Sequence, residues 1–511
     1  MVGWQESRLI RIAGEQLLME RPRRIAMVGQ RVTTPAHWRS GAGAFPRDGR
    51  RLWPLLVQVG LLALILWATA HVIDLTTYGS RVPNGDVLEY QRYAMAFWLQ
   101  HPLFHHLPLE YPPLAILPFT LTIVPPLYDP LVPFEWWIGA ALVAGYFWFQ
   151  RYSTPGRAVL FIAYLVLGAA ATVLARFDLF PALATLLALW AVGRSRFRLA
   201  YALLAAGVLL KLYPAFLIPV VAVEQWRTLH AGPAAAPLGS RAEQARALPP
   251  ACGTPAHRSG VSRWRGALKR LRGALASLRR DPALPLVARG VGLCGALVAL
   301  GFGAAALLSP GGAFSGFSYA SDRPLQIEST PASLLWIGTW FGIPARAVYT
   351  FHSLNYVGVL DGLLKPLSAL ALAGGCLLVY WRQLAGRLDV RRAFVACVCV
   401  VLVTNKIFSP QYLIWVLPLV AYVEGFDLLW VGVALLTTFI YPFIYFAHPH
   451  IKYVATDWRF LPTLAVRNAL LLVITARTLR PAPPARALDE SAPRTAARRI
   501  RAAATDMAGG S

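Results

Sequence analysis

Charge is scarce in this chain, and negative charge scarcest. Only 14% of its 511 residues are Asp, Glu, Lys or Arg, and 24 acids stand against 49 bases. A string of water-soluble domains needs more polar surface than that, so the length does not imply several of them. Cysteine is sparse too: Cys252, Cys294, Cys376, Cys397 and Cys399 show no ligand-like spacing with histidine. Four of the five lie in apolar runs, where a reduced structural thiol is expected. A cleavable signal is also missing, because about fifty polar, Arg-rich residues precede the first apolar run. No internal repeat is visible, although many transporter folds carry one.

What the chain has instead is hydrocarbon. Hydrophobic residues make up 57% and the mean hydropathy is +0.50. Apolar runs recur from residue 52 to about 477, and runs of roughly 20 residues suit helices that satisfy their own backbone in lipid. The expectation is an all-α polytopic membrane domain over 52–476 with about 10–13 transmembrane helices. Basic segments at 1–51, 224–282 and 477–511 hold most of the arginines. A net charge of +25 would suggest nucleic acid in a soluble chain. Here the arginines lie between and beyond the apolar runs, which favours cytoplasmic retention next to anionic lipid and no nucleic-acid partner. Both tails and the insert are expected to be disordered, apart from an amphipathic helix at Arg263–Arg280.

The first span is expected at Leu52–Ile73, followed by an external loop, Asn84–Pro113. Five prolines in Tyr111–Val132 (Pro112, Pro113, Pro118, Pro125, Pro126) predict a kinked or short helix there. Further segments are Phe134–Phe149, Ala158–Ala175, Leu179–Val192 and Leu199–Val223. If all cross fully, Arg194, Arg196 and Arg198 fall outside, against the positive-inside bias. A hairpin over Leu199–Val223, bent at Lys211-Leu-Tyr-Pro214, removes that conflict if the parity change is taken up within 110–175. The sequence is compatible with both arrangements. The second half alternates through Ala283–Leu308, Asp361–Trp381, Phe394–Val403, Tyr412–Val423, Leu428–Phe446 and Leu461–Ala476, with Ser333–Tyr356 read as an interfacial helix.

Polar residues collect on one predicted face. They are the first loop, Arg176 and Asp178, Lys211, the Arg323–Glu328 loop, and Asn405-Lys406 with Ser409-Pro-Gln411-Tyr412. Ionisable groups at membrane depth are expensive, which makes them functional candidates. A helix from Asn84 or Asp86 to about Gln100 aligns Asp86, Tyr90 and Tyr93 on one face. An ionised carboxylate there could accept a proton or simply cap the helix, and spacing alone leans towards the cap. Lys211, Lys406, Arg176 and Arg323 suggest an anion site, where fixed cations stabilise a phosphate leaving group. His101, His105, His106, His448 and His450 are a weak metal signal without a rigid scaffold.

Four ordered motifs carry a resemblance. They are Asp86 with Tyr90 and then Glu110-Tyr-Pro-Pro113; Arg176-Phe-Asp178; Leu210-Lys-Leu-Tyr-Pro214; and Thr404-Asn-Lys-Ile-Phe-Ser-Pro-Gln-Tyr412. With Arg323-Pro-Leu-Gln-Ile-Glu-Ser329, this pattern resembles the GT-C superfamily of integral-membrane glycosyltransferases, most closely the family-87 polyprenol-phosphate-mannose-dependent mannosyltransferases. The resemblance spans roughly 52–476. It implies an inverting transfer from a polyprenyl-phosphate sugar to a lipid- or glycan-linked acceptor, at the outer face of the cytoplasmic membrane. Asp86 maps onto the catalytic acid of the first external loop. Lys211, Lys406, Arg176 and Arg323 become candidates for donor phosphate. Glu110, Tyr111, Tyr90, Asp178, Gln326, Glu328, Gln411 and Tyr412 become candidates for sugar or acceptor. Asn84 and Leu88 stand where some members carry a second acid, so the sequence does not support a divalent metal, and no cofactor is expected. The rival expectation from another class is a glycolipid transporter or flippase.

Overall fold

A computed structural model describes residues 52–78, 85–99, 110–230, 281–308, 310 and 312–481. The basic tails up to 51 and from 482, residues 231–280 of the insert with the helix expected at Arg263–Arg280, and Asn84, His101, His105 and His106 lie outside the described residues.

The chain is mostly helical. The helices are α1 (Leu52–Tyr78), α2 (Gly85–Trp98), α3 (Ile116–Thr120), α4 (Leu131–Tyr152), α5 (Pro155–Ala169), α6 (Leu179–Val192), α7 (Phe197–Leu210) and α8 (Ile218–His230). After the insert follow α9 (Leu284–Leu308), α10 (Ser315–Asp322), α11 (Thr330–Thr339), α12 (Asp361–Leu384), α13 (Val390–Thr404), α14 (Leu417–Val423), α15 (Leu428–Thr438) and α16 (Phe460–Leu479). Among the described residues, α4, α9, α12 and α16 are long and apolar enough to cross a membrane. α9 and α12 bury little of their surface in the protein, as befits helices that face lipid.

Most of the expected segments return as helices, with differences at two places. The proline-rich stretch after Tyr111 is a single 3-10 turn, Pro113–Ala115, and the short α3, followed by turns up to residue 130. It is shorter than the neighbouring helices α1 and α4. The bend at Lys211 makes the predicted hairpin. A 3-10 turn, Tyr213–Leu217, follows the break, and α8 folds back along α7, so that Tyr201 near the start of α7 donates to Gln225 Oε1 of α8 at 3.0 Å. α9 lies on α7 through Gly290, whose backbone touches the Tyr201 ring so closely that no side chain would fit.

The second difference is local and leaves the chain mostly helical. Ser333–Tyr356 is not one interfacial helix. α11 ends at Thr339, and an antiparallel hairpin follows: β1 (Ala345–Thr350) and β2 (Ser353–Gly358), with Thr350 opposite Ser353. Its two turn residues, Phe351 and His352, have φ of 52° and 54°. The turn lacks the Asn-Gly or Gly-Gly pair that usually supplies such angles. Asn355 compensates, donating from Nδ2 to Thr350 O at 2.7 Å and to Thr350 Oγ1 at 3.0 Å.

The helices run between two ends of opposite chemistry. At one end Arg157 donates to Tyr422 O, Arg392 to Thr478 O at 3.0 Å and Arg382 to Leu479 O. Arg194 lies over Trp190, 4.2 Å from the ring centroid, and its charge reaches Tyr422 together with those of Arg157 and Arg391. Arginines thus cap the last carbonyls of α14 and α16, which the helix ends leave without intrahelical partners. The segment carrying Arg194 therefore shares an end with the other basic turns. The candidate site residues lie at the opposite end.

Candidate functional site

α2 starts at Gly85 with Asp86 in its first turn, as the spacing predicted, and stops at Trp98. The Asp86 carboxylate reaches across to Arg176 and forms an ion pair with it. α2 is held by rings: Tyr90 stacks on Phe119 of α3 (4.4 Å, 8°) and meets Tyr111 and Phe177 edge-on at 6.0 and 5.6 Å. The Tyr90 hydroxyl also hydrogen-bonds Tyr111. Tyr90 is 1% exposed, so it is part of the wall that orients Asp86.

Arg176 lies in the turn between α5 and α6 and is 9% exposed. Its guanidinium donates to Ala175 O at 3.2 Å and lies near Tyr441, where the chain unwinds after α15. Two residues on, Asp178 is 1% exposed and accepts at Oδ1 from Lys211 Nζ at 2.6 Å and Trp415 Nε1 at 2.5 Å. Its Oδ2 is buried and has no partner among the described residues. The Lys211 ammonium sits among the rings of Phe177, Tyr412, Trp415 and Tyr111, at 5.0, 5.3, 5.3 and 5.8 Å from their centroids. Trp415 is sandwiched between Tyr213 (4.4 Å, 5°) and Tyr412 (4.0 Å, 22°). Ring faces stabilise a cation by about 0.5–2 kcal/mol. Removing one member of a buried ion pair costs about 3–5 kcal/mol, so Lys211 and Asp178 hold each other in place.

Above this floor lies a layer from the loops. Tyr319 of α10 hydrogen-bonds Glu110 and donates to Phe351 O at 3.1 Å. Burial raises the Glu110 carboxyl above the usual range, against the pull of the Tyr319 bond, Arg323 and His352. Burial and then the Glu110 charge push the Tyr319 hydroxyl up to about 12. Arg323 donates to Ser353 Oγ at 2.9 Å, and its guanidinium lies 5.5 Å from the Tyr319 ring centroid. Tyr412 feels the charges of Arg323, Asp178 and Glu110, so floor and loop layer are near neighbours there.

The other candidates are engaged in holding the loop. Lys406 donates to the backbone carbonyls of Ser321 at 2.7 Å and Arg323 at 3.0 Å. Burial, together with the charges of Lys365 and Arg323, lowers its ammonium pKa. Gln326 is tied through its backbone to Lys406 O at 2.9 Å, while its Oε1 is buried without a partner among the described residues. Gln411 accepts from Ser409 Oγ at 2.6 Å. Glu328 joins a network with α16, and its charge reaches Tyr441 as that of Asp86 does. Arg467 donates to its Oε2 at 3.2 Å and to its backbone O at 2.5 Å, Tyr445 donates to Oε1 at 2.8 Å, and Asn468 donates to its backbone O at 3.1 Å. These bonds tie the 1% exposed Glu328 and its loop to α16.

The structure thus brings Asp86, Arg176, Asp178, Lys211, Tyr90, Tyr111, Tyr412, Glu110 and Arg323 around one space. Lys406, Gln326 and Glu328 are each bonded to the 321–328 loop backbone or to α16. Sequence reasoning missed Arg467, Asn468, Tyr319, Tyr441 and Trp415. Arg467 did carry a signal, since it interrupts an apolar run at membrane depth. Among the described residues, no three His, Cys, Asp or Glu side chains gather as a metal ligand set.

These features define a predominantly helical membrane protein with a polar, charge-paired site at one end of its helices. Comparison with models of known families, with curated proteins and with solved structures finds no match.

Proposed function

We propose that this protein is a membrane glycosyltransferase that moves a sugar, mannose in the first instance, from a polyprenyl-phosphate donor to a glycolipid or glycan acceptor. In this reading the helices make about 10–13 crossings of the cytoplasmic membrane, and the site opens to the outside, opposite the arginine-rich end. The supporting observation is the meeting of Asp86, Arg176, Asp178 and Lys211, which come from three separated motifs, at the end away from the basic turns. A proton acceptor beside buried cations is the combination that this transfer needs.

Asp86 takes the proton of the acceptor hydroxyl as its oxygen attacks the anomeric carbon. The bond from that carbon to the phosphate oxygen breaks, and polyprenyl phosphate leaves with the electron pair. Attack opposite the leaving group inverts the configuration. Arg176 and Arg323 meet the phosphate, with Lys211 behind as fixed charge. The Tyr412–Trp415 wall and the partnerless Asp178 Oδ2 offer a face and an acceptor for sugar hydroxyls. The reading assigns stabilisation of the leaving group to these cations and names no cofactor.

The test supplies labelled polyprenyl-phosphate mannose to the outer side of sealed vesicles containing wild type or Asp86→Asn. Wild type should transfer label to an acceptor, and the variant should be slower by roughly 100- to 10,000-fold. Undiminished transfer by Asp86→Asn would remove Asp86 as the base. Label that only changes leaflet would replace the enzyme with a flippase.

A further inference from the structure

The two ion pairs at the floor of the site share one turn, since Arg176 and Asp178 are two residues apart, yet their surroundings differ. In the Lys211–Asp178 pair the side chains are 14% and 1% exposed. Neither can be separated without leaving a charge in apolar surroundings, and Trp415 also holds the carboxylate. In the Arg176–Asp86 pair the arginine is 11% exposed but the aspartate is 46% exposed. Asp86 lies in the first turn of a helix, where free backbone N–H groups and water both favour a carboxylate standing alone. Arg176 has no such freedom. Enclosed by the turn after α5 and by Tyr441, its guanidinium needs an anion against it at all times.

We propose that Arg176 exchanges anions. It holds Asp86 while the site is empty and passes to the phosphate when a polyprenyl-phosphate donor enters, so that Asp86 is released as a base only in the donor-loaded protein. This rests on the glycosyltransferase reading and adds an order to it: donor before acceptor. While the guanidinium occupies the Asp86 carboxylate, an acceptor hydroxyl has to displace it to reach those oxygens, and a phosphate offers the same planar fork two oxygens in place of the carboxylate's. Arrival of the donor therefore creates the base it needs, and a site without donor does not activate an acceptor or water. When polyprenyl phosphate departs, Asp86 returns to Arg176 and competes with rebinding of the product. Lys211 takes no part in the exchange, because its own carboxylate cannot be solvated.

The experiment measures binding of a short-chain polyprenyl monophosphate, with uncharged polyprenol as reference, to the full chain in lipid nanodiscs. Removing the competing anion with Asp86→Asn should tighten phosphate binding about tenfold, or about 1.4 kcal/mol, and leave polyprenol binding unchanged. Asp86→Glu, which keeps the competitor, should stay close to wild type, and Arg176→Gln should lose the preference for phosphate. In the wild type, carbodiimide-driven coupling of an amine to Asp86 should rise when the monophosphate is added, a readout that needs no variant to fold. If Asp86→Asn binds the monophosphate no more tightly, or Asp86 labelling falls on its addition, the exchange is overturned while the phosphate site stands. If wild type binds monophosphate and polyprenol alike, the phosphate site itself fails, and the exchange with it.

Discussion

Asp86 and Glu328 each reach an arginine far away in sequence, and they end in opposite surroundings. Glu328 is 1% exposed and its partner Arg467 is fully buried; Arg467, Asn468 and Tyr445 together occupy its side-chain and backbone oxygens. Asp86 is about half exposed and pairs with one guanidinium. The Glu328 pair has paid its desolvation once, on folding, and resists change. Only one half of the Asp86 pair is locked in, which leaves the other half available for chemistry. Burial, more than charge, separates a carboxylate that positions a loop from one that can accept a proton.

That contrast can be broken most directly at the buried end. Glu328→Gln leaves Arg467 charged in the interior and should cost about 3–5 kcal/mol of stability, measured as the unfolding free energy in mild detergent. Adding Arg467→Met to that variant should restore much of the loss, because it removes the uncompensated buried charge. A loss of well under 1 kcal/mol from Glu328→Gln would show that the network does not hold the loop.

Asp86→Asn should cost less, about 2 kcal/mol in the same assay, because it leaves the enclosed Arg176 without its anion but on a side of the pair that water reaches. A penalty as large as that of Glu328→Gln would make the two pairs alike and remove the distinction. The smallest expected effect is at Glu110, which lies between the two cases. Burial raises its folded pKa, so its contribution is complete below the ordinary carboxyl value of about 4.3 and is lost as pH rises through the elevated folded value. Unfolding midpoints of wild type should decline across that window, and Glu110→Gln should flatten the decline. Identical pH profiles would mean that ionisation of Glu110 is not coupled to folding.

Much of the helical frame was legible because it rests on local properties. An apolar run in lipid must satisfy its own backbone, prolines stop a helix wherever they stand, and the arginine-rich turns mark one end. The bend at Lys211 was one of two arrangements the sequence allowed, and α8 does fold back on α7. The hairpin β1–β2 was not legible, since Phe351 and His352 are unusual turn residues held by Asn355, which comes after the turn. The candidate site was legible as a set of residue types. Its grouping was not: Lys406 and Glu328 looked like ligands by charge, yet one fastens backbone carbonyls and the other a buried arginine.

By itself the sequence determined a membrane-embedded, mostly helical chain and the residues that carry its charge, because hydropathy and proline act within a few turns of the chain. Tertiary structure decided which acid meets which base. Asp86 and Arg176, like Glu328 and Arg467, are joined across long stretches of chain, and the packing around each pair sets how much water it keeps. That remaining water is what makes one carboxylate a support and the other a candidate base.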